Sequence, residues 1–477
     1  MNTQLPYNEK DKYSILEYAS KLKDQSLKNV LDLEKSNSIN LNNGKGGFGN
    51  LVEELYFKYK PNSEAQADFP EAGIELKTTP LKQTVKGLVS KERLVFNIIN
   101  YMEEHQKQFA TSSFWKKNKE LLLLFYLHEQ DKLPIDYLFK IIRLWRFPAN
   151  DLKIIIDDWN TIVNKIRAGK AHELSEGDTL YLGACTKGAN KSSMRQQPFS
   201  NEPAMQRAFS LKSKYLNFII EQSFANIEHT IDEAEYDYLL SETSMLREEY
   251  EAYKKLNLKE TEPVVKSIYD YKDGQTFEDL VVDKFNAYIG FSENDLIHYF
   301  QLTINPKAKN RYQVFANRMM GVKGKYIEEF EKADVLMKTV VLENNGNLKE
   351  SMSFQQIKYK EIIFENWLES YWYHTLTKRF FFIVFQKDEK GIPRLKNVKF
   401  WTMPAQDLAV AKAFWLDTQE KVIIGSFENF IKISDDKICH VRPKARDASD
   451  LAETISGKME KKKAYWLNSG YIKKIIK

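Results

Sequence analysis

Cysteine is scarce in this sequence, with two residues, Cys185 and Cys439, in a chain of 477. Two thiols this far apart provide no disulfide framework, so we expect both to be structural residues in a reducing compartment. The first ten residues lack the basic start and the apolar stretch of a secretory signal. Together these absences predict a cytoplasmic protein.

Long apolar runs are also absent. The longest, residues 121–127 and 380–385, are far shorter than the roughly 20 residues that cross a bilayer, and they suit buried strands instead. The sequence therefore predicts no membrane span and no membrane partner. A content of 43% hydrophobic and 29% charged residues indicates a globular protein with two or more domains. The net charge of +5 is mildly basic, but the lysines cluster, which permits a polyanionic partner.

Several hydrolase signatures are missing. His172-Glu173 lacks the second histidine of a zinc-protease helix, and the seven histidines show no metal-ligand spacing. The sequence contains no Gly-x-Ser-x-Gly nucleophile motif. The glycine-rich turn at residues 44–49 lacks the Gly-Lys-Ser/Thr ending of a P-loop. These absences argue against zinc proteases, serine hydrolases of that type and P-loop nucleotide-binding proteins.

An acidic motif on a predicted strand is present. Asp68 is followed after six residues by Glu75, and Lys77 comes two residues later. Since strand side chains alternate between faces, Glu75 and Lys77 project to one side, and Asp68 can fold back beside them from the preceding turn. This pattern arises by chance about once in a chain of this composition, so other residues must support it.

Candidate supporting residues lie on both sides of the motif. Lys45 lies in the glycine-rich turn, Glu53 on the helix that this turn opens, and Lys117 and Lys119 before the apolar strand. Glu53 is either a third metal ligand or a solvated acid, and each lysine is either a phosphate contact or a solvated charge. Crowded carboxylates favour a hard cation. We expect Mg²⁺, with Mn²⁺ as a substitute, to polarise a scissile phosphate while Lys77 positions the attacking water.

The two halves of the chain repeat each other. Residues 207–220 align with residues 463–476 with six identities in fourteen positions, where about one is expected by chance. Residues 91–101 align in the same way with residues 349–359. Each copy is predicted to contain a helix, the acid-bearing strand, a helix, the apolar strand, helices, two short strands and a closing helix. This order predicts a mixed α/β fold, present twice, with a mixed central sheet flanked by helices.

The repeat predicts three segments. These are an N-terminal catalytic domain at residues 1–228, a helical linker at residues 229–266 and a C-terminal domain at residues 267–477. In the second copy Leu336 aligns with Glu75 and, on a looser alignment, Val282 aligns with Glu53. Because neither leucine nor valine can ligate a cation, we expect the C-terminal copy to bind without cutting.

Sequence-specific DNA binding needs contacts to base edges. We expect Lys187 to reach guanine and Asn190 to pair with adenine, although a plain surface loop is the competing interpretation. The candidates have polar or basic side chains and lie in the last part of the first copy or in the matching segment of the second copy. They are Lys187, Asn190, Lys191, Ser210, Lys212, Arg442, Lys444 and Arg446.

These residues resemble a known family. The glycine turn with Glu53, the stretch from Asp68 to Thr78, and the Lys187 loop are similar in type and spacing to the MutH family of mismatch-repair nickases, which act at GATC. The duplicated layout resembles more closely the Sau-three-A family of type II restriction endonucleases, which are built from two MutH-like domains. The resemblance implies a restriction-endonuclease fold and Mg²⁺-dependent hydrolysis of double-stranded DNA at GATC.

The resemblance also implies roles and partners. The acidic motif would match the family's catalytic acids and lysine, Glu53 and Lys45 its supporting pair, and Lys187 a base-contacting lysine. Ser210 stands where MutH-like proteins can carry a tyrosine that touches the target adenine, which leaves the response to adenine methylation open. We expect DNA-induced self-association and a cognate methyltransferase. A MutH-like nickase and a DNA-binding protein without catalysis are the alternatives.

Overall fold

A computed structural model describes residues 5–32, 47–59, 66–188, 193–228, 233–240, 261–305, 308, 310–435, 438–447 and 449–477. The chain forms two compact units. Unit 1 comprises Met1–Leu174, Asp178–Thr276 and Glu331–Ala333, and unit 2 comprises Ser175–Gly177, Phe277–Phe330 and Asp334–Lys477. None of the helices in the described ranges is long and apolar enough to span a bilayer. The segment boundaries at residues 228 and 266 stay predictions.

Unit 1 combines mostly short helices with two sheets and a hairpin. Its helices in the described ranges are α1 (Lys12–Ser20), α2 (Leu27–Val30), α3 (Gly47–Leu51), α4 (Tyr101–Glu104), α5 (Ser113–Asn118), α6 (Ala149–Arg167), α7 (Ser213–Phe224) and α8 (Glu233–Leu240). Its strands are β1 (Glu75–Thr84), β2 (Gly87–Ser90), β3 (Leu94–Ile98), β4 (Leu121–Leu127), β5 (Phe139–Trp145), β6 (Leu182–Thr186), β7 (Met194–Gln197), β8 (Ser200–Met205), β9 (Arg207–Leu211) and β10 (Thr261–Glu262).

The larger sheet of unit 1 has the order β2-β1-β4-β5. In it β1 runs parallel to β4, and the pairs β1/β2 and β4/β5 are antiparallel. The first five residues of β4, Leu121 to Phe125, are fully buried, as expected for a continuous apolar run in a strand covered on both faces. The smaller sheet is antiparallel, with the order β3-β9-β6.

Unit 2 has a similar set of elements. Its helices in the described ranges are α9 (Phe277–Asn286), α10 (Glu293–Tyr299), α11 (Arg311–Met319), α12 (Glu328–Ala333, whose end belongs to unit 1), α13 (Tyr359–Ile362), α14 (Tyr371–Leu376), α15 (Ala405–Ile423) and α16 (Ser469–Ile475). Its strands are β11 (Tyr326–Ile327), β12 (Leu336–Leu342), β13 (Met352–Gln356), β14 (Phe380–Lys387), β15 (Pro393–Trp401), β16 (Cys439–Pro443), β17 (Leu451–Glu453), β18 (Met459–Lys461) and β19 (Lys463–Leu467).

The sheets of unit 2 repeat those of unit 1. The sheet β12-β14-β15 contains a parallel pair, β12/β14, followed by an antiparallel pair, as β1-β4-β5 does. The antiparallel sheet β13-β19-β16 matches β3-β9-β6. The long helices α6 and α15 each have 19 residues. The predicted mixed α/β fold and its tandem duplication are therefore confirmed.

The predicted order of elements needs correction in its detail. Where the sequence predicted a helix between the acid-bearing strand and the apolar strand, unit 1 forms β2 and β3 before the short helices α4 and α5. Strand β5 and the hairpin β7/β8 were also missed. The alternation of buried Leu94 and Phe96 with the less buried Val95 is too short to identify a strand before its partner β9 is known.

The N-terminal elements of unit 1 pack on one face of the larger sheet. Leu76 of β1 shares an apolar cluster with Leu122 and Leu124 of β4 and with Val52 and Phe57, which follow α3. Full burial of a leucine side chain stabilises a fold by about 1.5–3 kcal/mol. This packing fixes the end of α3 beside the first residues of β1.

Candidate active site

The acidic motif lies at the start of β1. Glu75 is the first residue of the strand and 1% exposed, and Leu76 is 3% exposed within the apolar cluster. Lys77 lies two residues after Glu75 and so projects to the same side of the sheet. In the parallel pair, Glu75 lies opposite Leu121 and Lys77 opposite Leu123 of β4. The predicted placement of these two side chains on one side is confirmed.

A tight turn brings Asp68 back to the strand. Gly73 adopts a φ of +71°, a backbone conformation that other residues rarely adopt. The Asp68 Oδ2 atom accepts the backbone N–H of Leu76 at 3.0 Å, and the Asp68 N–H donates to Glu75 Oε2 at 3.1 Å. The turn therefore places the two acidic residues in direct contact.

Two lysines approach the same carboxylate. Lys77 Nζ donates to Glu75 Oε1 at 2.5 Å. Lys117, on α5 and with a side chain that is 12% exposed, places Nζ 3.7 Å from the same oxygen. Lys119 is exposed and lies beside the Gly73 turn. Of the two lysines considered before β4, Lys117 is thus the one that contacts the acid.

The third acid comes from the π-helical turn Val52–Phe57, which continues α3. Burial, and next the Asp68 carboxylate, raise the pKa of Glu53 to about 7, while Lys77 opposes the shift. Burial also raises the pKa of Glu75 to about 7, again against Lys77. Glu53 is half-buried, and the charges of the neighbouring acids and lysines affect its pKa. Both observations argue against a solvated acid. We call Glu53, Asp68, Glu75, Lys77 and Lys117 the acid–lysine cluster.

The contacts within the cluster bear on metal binding. In the part of the chain that the structure describes, no group of three or more His, Cys, Asp or Glu side chains is arranged to hold a metal ion. In this arrangement Glu75 contacts two lysines and the Asp68 amide, while Asp68 accepts a backbone N–H of the strand. The donor chemistry still suits a hard divalent cation, because three carboxylates share a site and two of them have raised pKa values. Cation binding would require Glu75 to exchange its lysine contacts for the metal.

Tyr59 was not predicted to be part of this site. Lys58 ends the π-helical turn with a φ of +61°, and the Tyr59 N–H then donates to the Glu53 carbonyl at 3.1 Å. Burial, and next the charges of Asp68, Glu53 and Glu75, raise the pKa of Tyr59. Within the described ranges its buried hydroxyl has no hydrogen-bond partner. No motif in the sequence signals this position, because the left-handed residue before it is a lysine.

The predicted DNA contacts of unit 1 differ in accessibility. Lys45, Asn190 and Lys191 lie outside the described residues. The Lys187 side chain is exposed, and its backbone is fixed by hydrogen bonds to Gln206 at 2.9 and 2.8 Å. Its side chain is therefore available to a ligand.

Two further candidates are held inside unit 1. Ser210 lies in the middle of the small sheet and is 1% exposed, which argues against a base contact from this side chain. Lys212 Nζ donates to the Thr179 carbonyl at 2.5 Å. This contact ties the Lys212 ammonium group to the backbone of its own unit and indicates a structural role.

The predicted contacts of unit 2 cluster at the end of β16. Arg442 is exposed and lies with its guanidinium group 5.4 Å from the centre of the Trp466 ring system. Lys444 Nζ donates to the Phe354 carbonyl at 2.6 Å. The Arg446 side chain is 84% exposed and approaches Asp447 at 3.4 Å. All three therefore remain near the surface of unit 2.

Comparison with known proteins gives consistent matches. A family model described as DNA mismatch repair enzyme MutH matches residues 57–158. The chain is 34% identical over 503 aligned positions to the type II restriction enzyme Sau3AI of Staphylococcus aureus, covering 94% of this chain and 95% of that protein. It is 27% identical over 188 positions to the DNA mismatch repair protein MutH of Shewanella amazonensis, covering 39% of this chain and 82% of that protein. The corresponding protein of Shewanella woodyi is 26% identical, with 39% and 80% covered.

Proposed function

Because this chain belongs to the MutH-like family of Sau3AI and is a type II restriction endonuclease, we propose that it cuts both strands of double-stranded DNA at GATC. The proposed cofactor is Mg²⁺, with Mn²⁺ as a substitute, and the products carry 5′-phosphates. The acid–lysine cluster of unit 1 is the observation that supports this proposal, since it combines three carboxylates with two lysines around one buried glutamate.

The side chains of the cluster have distinct parts in the proposed reaction. When bound, magnesium would supply charge that offsets the negative charge developing on the scissile phosphate. Glu53, Asp68 and Glu75 would hold the cation. Lys77 Nζ, released from Glu75 Oε1, would orient the attacking water by hydrogen bonding, and Lys117 would face the phosphate oxygens from α5.

The C-terminal copy is proposed to hold a second DNA site or to regulate cleavage. In the parallel pair β12/β14, Leu336 occupies the position that Glu75 occupies in the pair β1/β4, so this copy has no carboxylate at that position. A palindromic site needs two cuts, and one active copy per chain then calls for two chains on DNA or for two successive nicks. DNA-induced self-association is therefore part of the proposal, as is a cognate methyltransferase that protects host GATC sites.

Digestion of supercoiled plasmid tests the proposal. With purified protein and Mg²⁺ alone, plasmid carrying GATC should become linear, and plasmid without GATC should stay supercoiled. Persistent open circles would instead support a MutH-like nickase, the alternative favoured by the similarity to two MutH proteins. Cleavage without regard to GATC would refute the proposed specificity.

A pair of neighbouring glutamates provides the matched control. Glu53→Gln should lower cleavage by about 100-fold or more, because it removes a proposed metal ligand. Glu54→Gln changes the next residue, whose side chain is exposed, and should leave cleavage unchanged. Equal losses in both variants would show that Glu53 acts through the fold of the π-helical turn rather than at the site.

A further inference from the structure

Unit 2 keeps the lysine of the acidic motif and replaces its buried glutamate by leucine. In the parallel strand pairs, Leu336 occupies the place of Glu75, and Lys338 occupies the place of Lys77. The lysine of the motif is therefore retained in the second copy, while the buried carboxylate that contacts it in unit 1 is replaced by an apolar side chain. Lys338 must then have a different environment from Lys77.

Lys338 is half-buried and lies against an aromatic ring. Its Nζ is 5.0 Å from the centre of the Phe354 ring, a cation–π contact. Within the described ranges, no carboxylate forms an ion pair with Lys338. Burial lowers the pKa of Lys338, and the charges of Lys444 and Lys378 lower it further. The environment of this ammonium group thus disfavours its positive charge.

Lys444, an exposed residue directly after β16, reaches the same residue. Its Nζ donates to the Phe354 carbonyl at 2.6 Å, so two ammonium groups converge on Phe354, one at the ring and one at the backbone. The third lysine, Lys378, is paired with Asp334 at 2.9 Å. Lys338 and Lys444 therefore form a positively charged site without an acidic partner among the described side chains.

Like charges held together in a partly buried site repel each other, and a bound anion offsets this cost. The anion that a restriction endonuclease meets in abundance is the phosphodiester of DNA, and lysine binds phosphate as a point charge. In unit 1 the carboxylates of the cluster would repel a phosphate unless a cation lay between them. In unit 2 the leucine at the corresponding position removes that repulsion.

We propose that Lys338 and Lys444 form a phosphate-binding site in unit 2 that holds one backbone phosphate of duplex DNA directly, without a metal ion. The inference rests on the proposed function, which gives the C-terminal copy a second DNA site, and it names the side chains and the group on the DNA that would meet there. The site would anchor a duplex on the C-terminal copy at the strand position that corresponds to the cleavage site of the N-terminal copy.

Lysine footprinting on the full-length protein tests this site. The side chains are acylated in EDTA, with and without a short GATC duplex, and each modified lysine is quantified by mass spectrometry. Lys338 and Lys444 should be protected at least about threefold by the duplex. With a duplex that lacks GATC, which the proposed nuclease does not cut, the protection should be the same in EDTA and in Mg²⁺. Lys396, an exposed lysine of β15 in the same unit, is the control and should react equally in both samples.

Substitution provides an independent measurement. Lys338→Met keeps the aliphatic stem that packs on Phe354 and removes the charge, so unit 2 should fold with equal or greater thermal stability. Duplex binding in EDTA should weaken, and the slope of log K against log salt should become shallower by about 0.9. Lys396→Met is the matched variant and should change neither value.

The outcomes separate this inference from the proposed nuclease function. Unprotected Lys338 and Lys444 together with an unchanged salt slope would overturn the phosphate site, even if the wild type linearises GATC plasmid. Protection that requires Mg²⁺, or protection by inorganic phosphate but not by duplex, would also overturn it. Protection of both lysines in a protein that fails to cleave would support the site and refute the nuclease proposal alone.

Discussion

Replacing Glu75 by glutamine should change how the stability of unit 1 depends on pH. The side chain is 1% exposed, and burial raises the pKa of its carboxyl group from the ordinary 4.5 to about 7. Glutamine has nearly the same shape and resembles the protonated acid. The variant therefore removes the ionisation while it preserves the packing at the start of β1.

The sign and size of the effect follow from proton linkage. Between pH 4.5 and 7 the unfolded state is ionised at this carboxyl while the folded state keeps its proton, so stability falls as pH rises. Stability from this group is complete below pH 4.5 and is lost as pH rises through about 7. For one carboxyl this amounts to about 2.5 kcal/mol between pH 5 and pH 8. The Glu75→Gln variant should not show this loss of stability between pH 5 and pH 8.

Urea unfolding in EDTA at pH 5 and pH 8 measures the difference. Because the chain has two units, its unfolding is not treated as one transition, and it is followed by hydrogen exchange of peptides from β1 and β4, which report on unit 1 alone. Adding Mg²⁺ at pH 8 should stabilise the wild type and should not stabilise the variant, since binding to the folded state alone raises its stability. Glu54→Gln serves as the exposed control.

A pH dependence that is equal in wild type and Glu75→Gln would refute this reasoning. It would show that Lys77 and Lys117 keep the carboxylate ionised in the folded protein despite its burial. Stabilisation of the variant by Mg²⁺, as large as that of the wild type, would remove Glu75 from the proposed metal ligands.

Three further substitutions, two of them with a matched control variant, test other features of unit 1. Tyr59→Phe removes a buried hydroxyl without a partner among the described residues and should leave the free energy of unfolding equal or raise it by about 1 kcal/mol. Tyr56→Phe removes a hydroxyl that is hydrogen-bonded at 2.7 Å and should lower the free energy of unfolding by about 1 kcal/mol. Equal losses of stability in urea unfolding would contradict this distinction. Asp158→Ala should destabilise unit 1 by about 3 kcal/mol or more in the same assay, because the Asp158 carboxylate accepts three backbone N–H groups at 2.6 to 2.8 Å. Asp157→Ala, which breaks a partly exposed ion pair, should cost less than about 1 kcal/mol. Lys187→Ala should leave stability within about 0.5 kcal/mol and reduce cleavage at GATC more than binding to unrelated duplexes; equal losses at both would mark a phosphate contact.

The sequence predicts those parts of the site whose signal is local. Alternation along β1 places Glu75 and Lys77 together, and the apolar run of β4 identifies a buried strand, because both follow from side-chain periodicity. The duplication is visible because two copies of one fold keep matching residues at nearly constant separation. These features need no knowledge of distant partners.

Other parts depend on contacts that the local sequence does not encode. Lys58 adopts a left-handed conformation that usually calls for glycine or asparagine, so the turn that brings Tyr59 to the acids has no local signature. Ser210 looks like an accessible polar residue in sequence, yet two neighbouring strands bury it. The contact of Lys117 with Glu75 joins α5 to β1 and becomes visible only when the two are packed together.

The second copy has lost more of the site than one side chain. Glu329 precedes Leu336 by seven residues, as Asp68 precedes Glu75, so an acid is present at the matching position. Asp68 lies in a turn that lets its carboxylate accept an amide of the strand, whereas Glu329 lies within α12 and is 6% exposed. A glutamate restored at position 336 would therefore lack the turn that supports its partner, and it would meet Lys338 near a second lysine instead of a second acid. Because the backbone before the strand and the charge around it differ together between the copies, we propose different ligands for them, a cation with a scissile phosphate in unit 1 and a phosphate alone in unit 2.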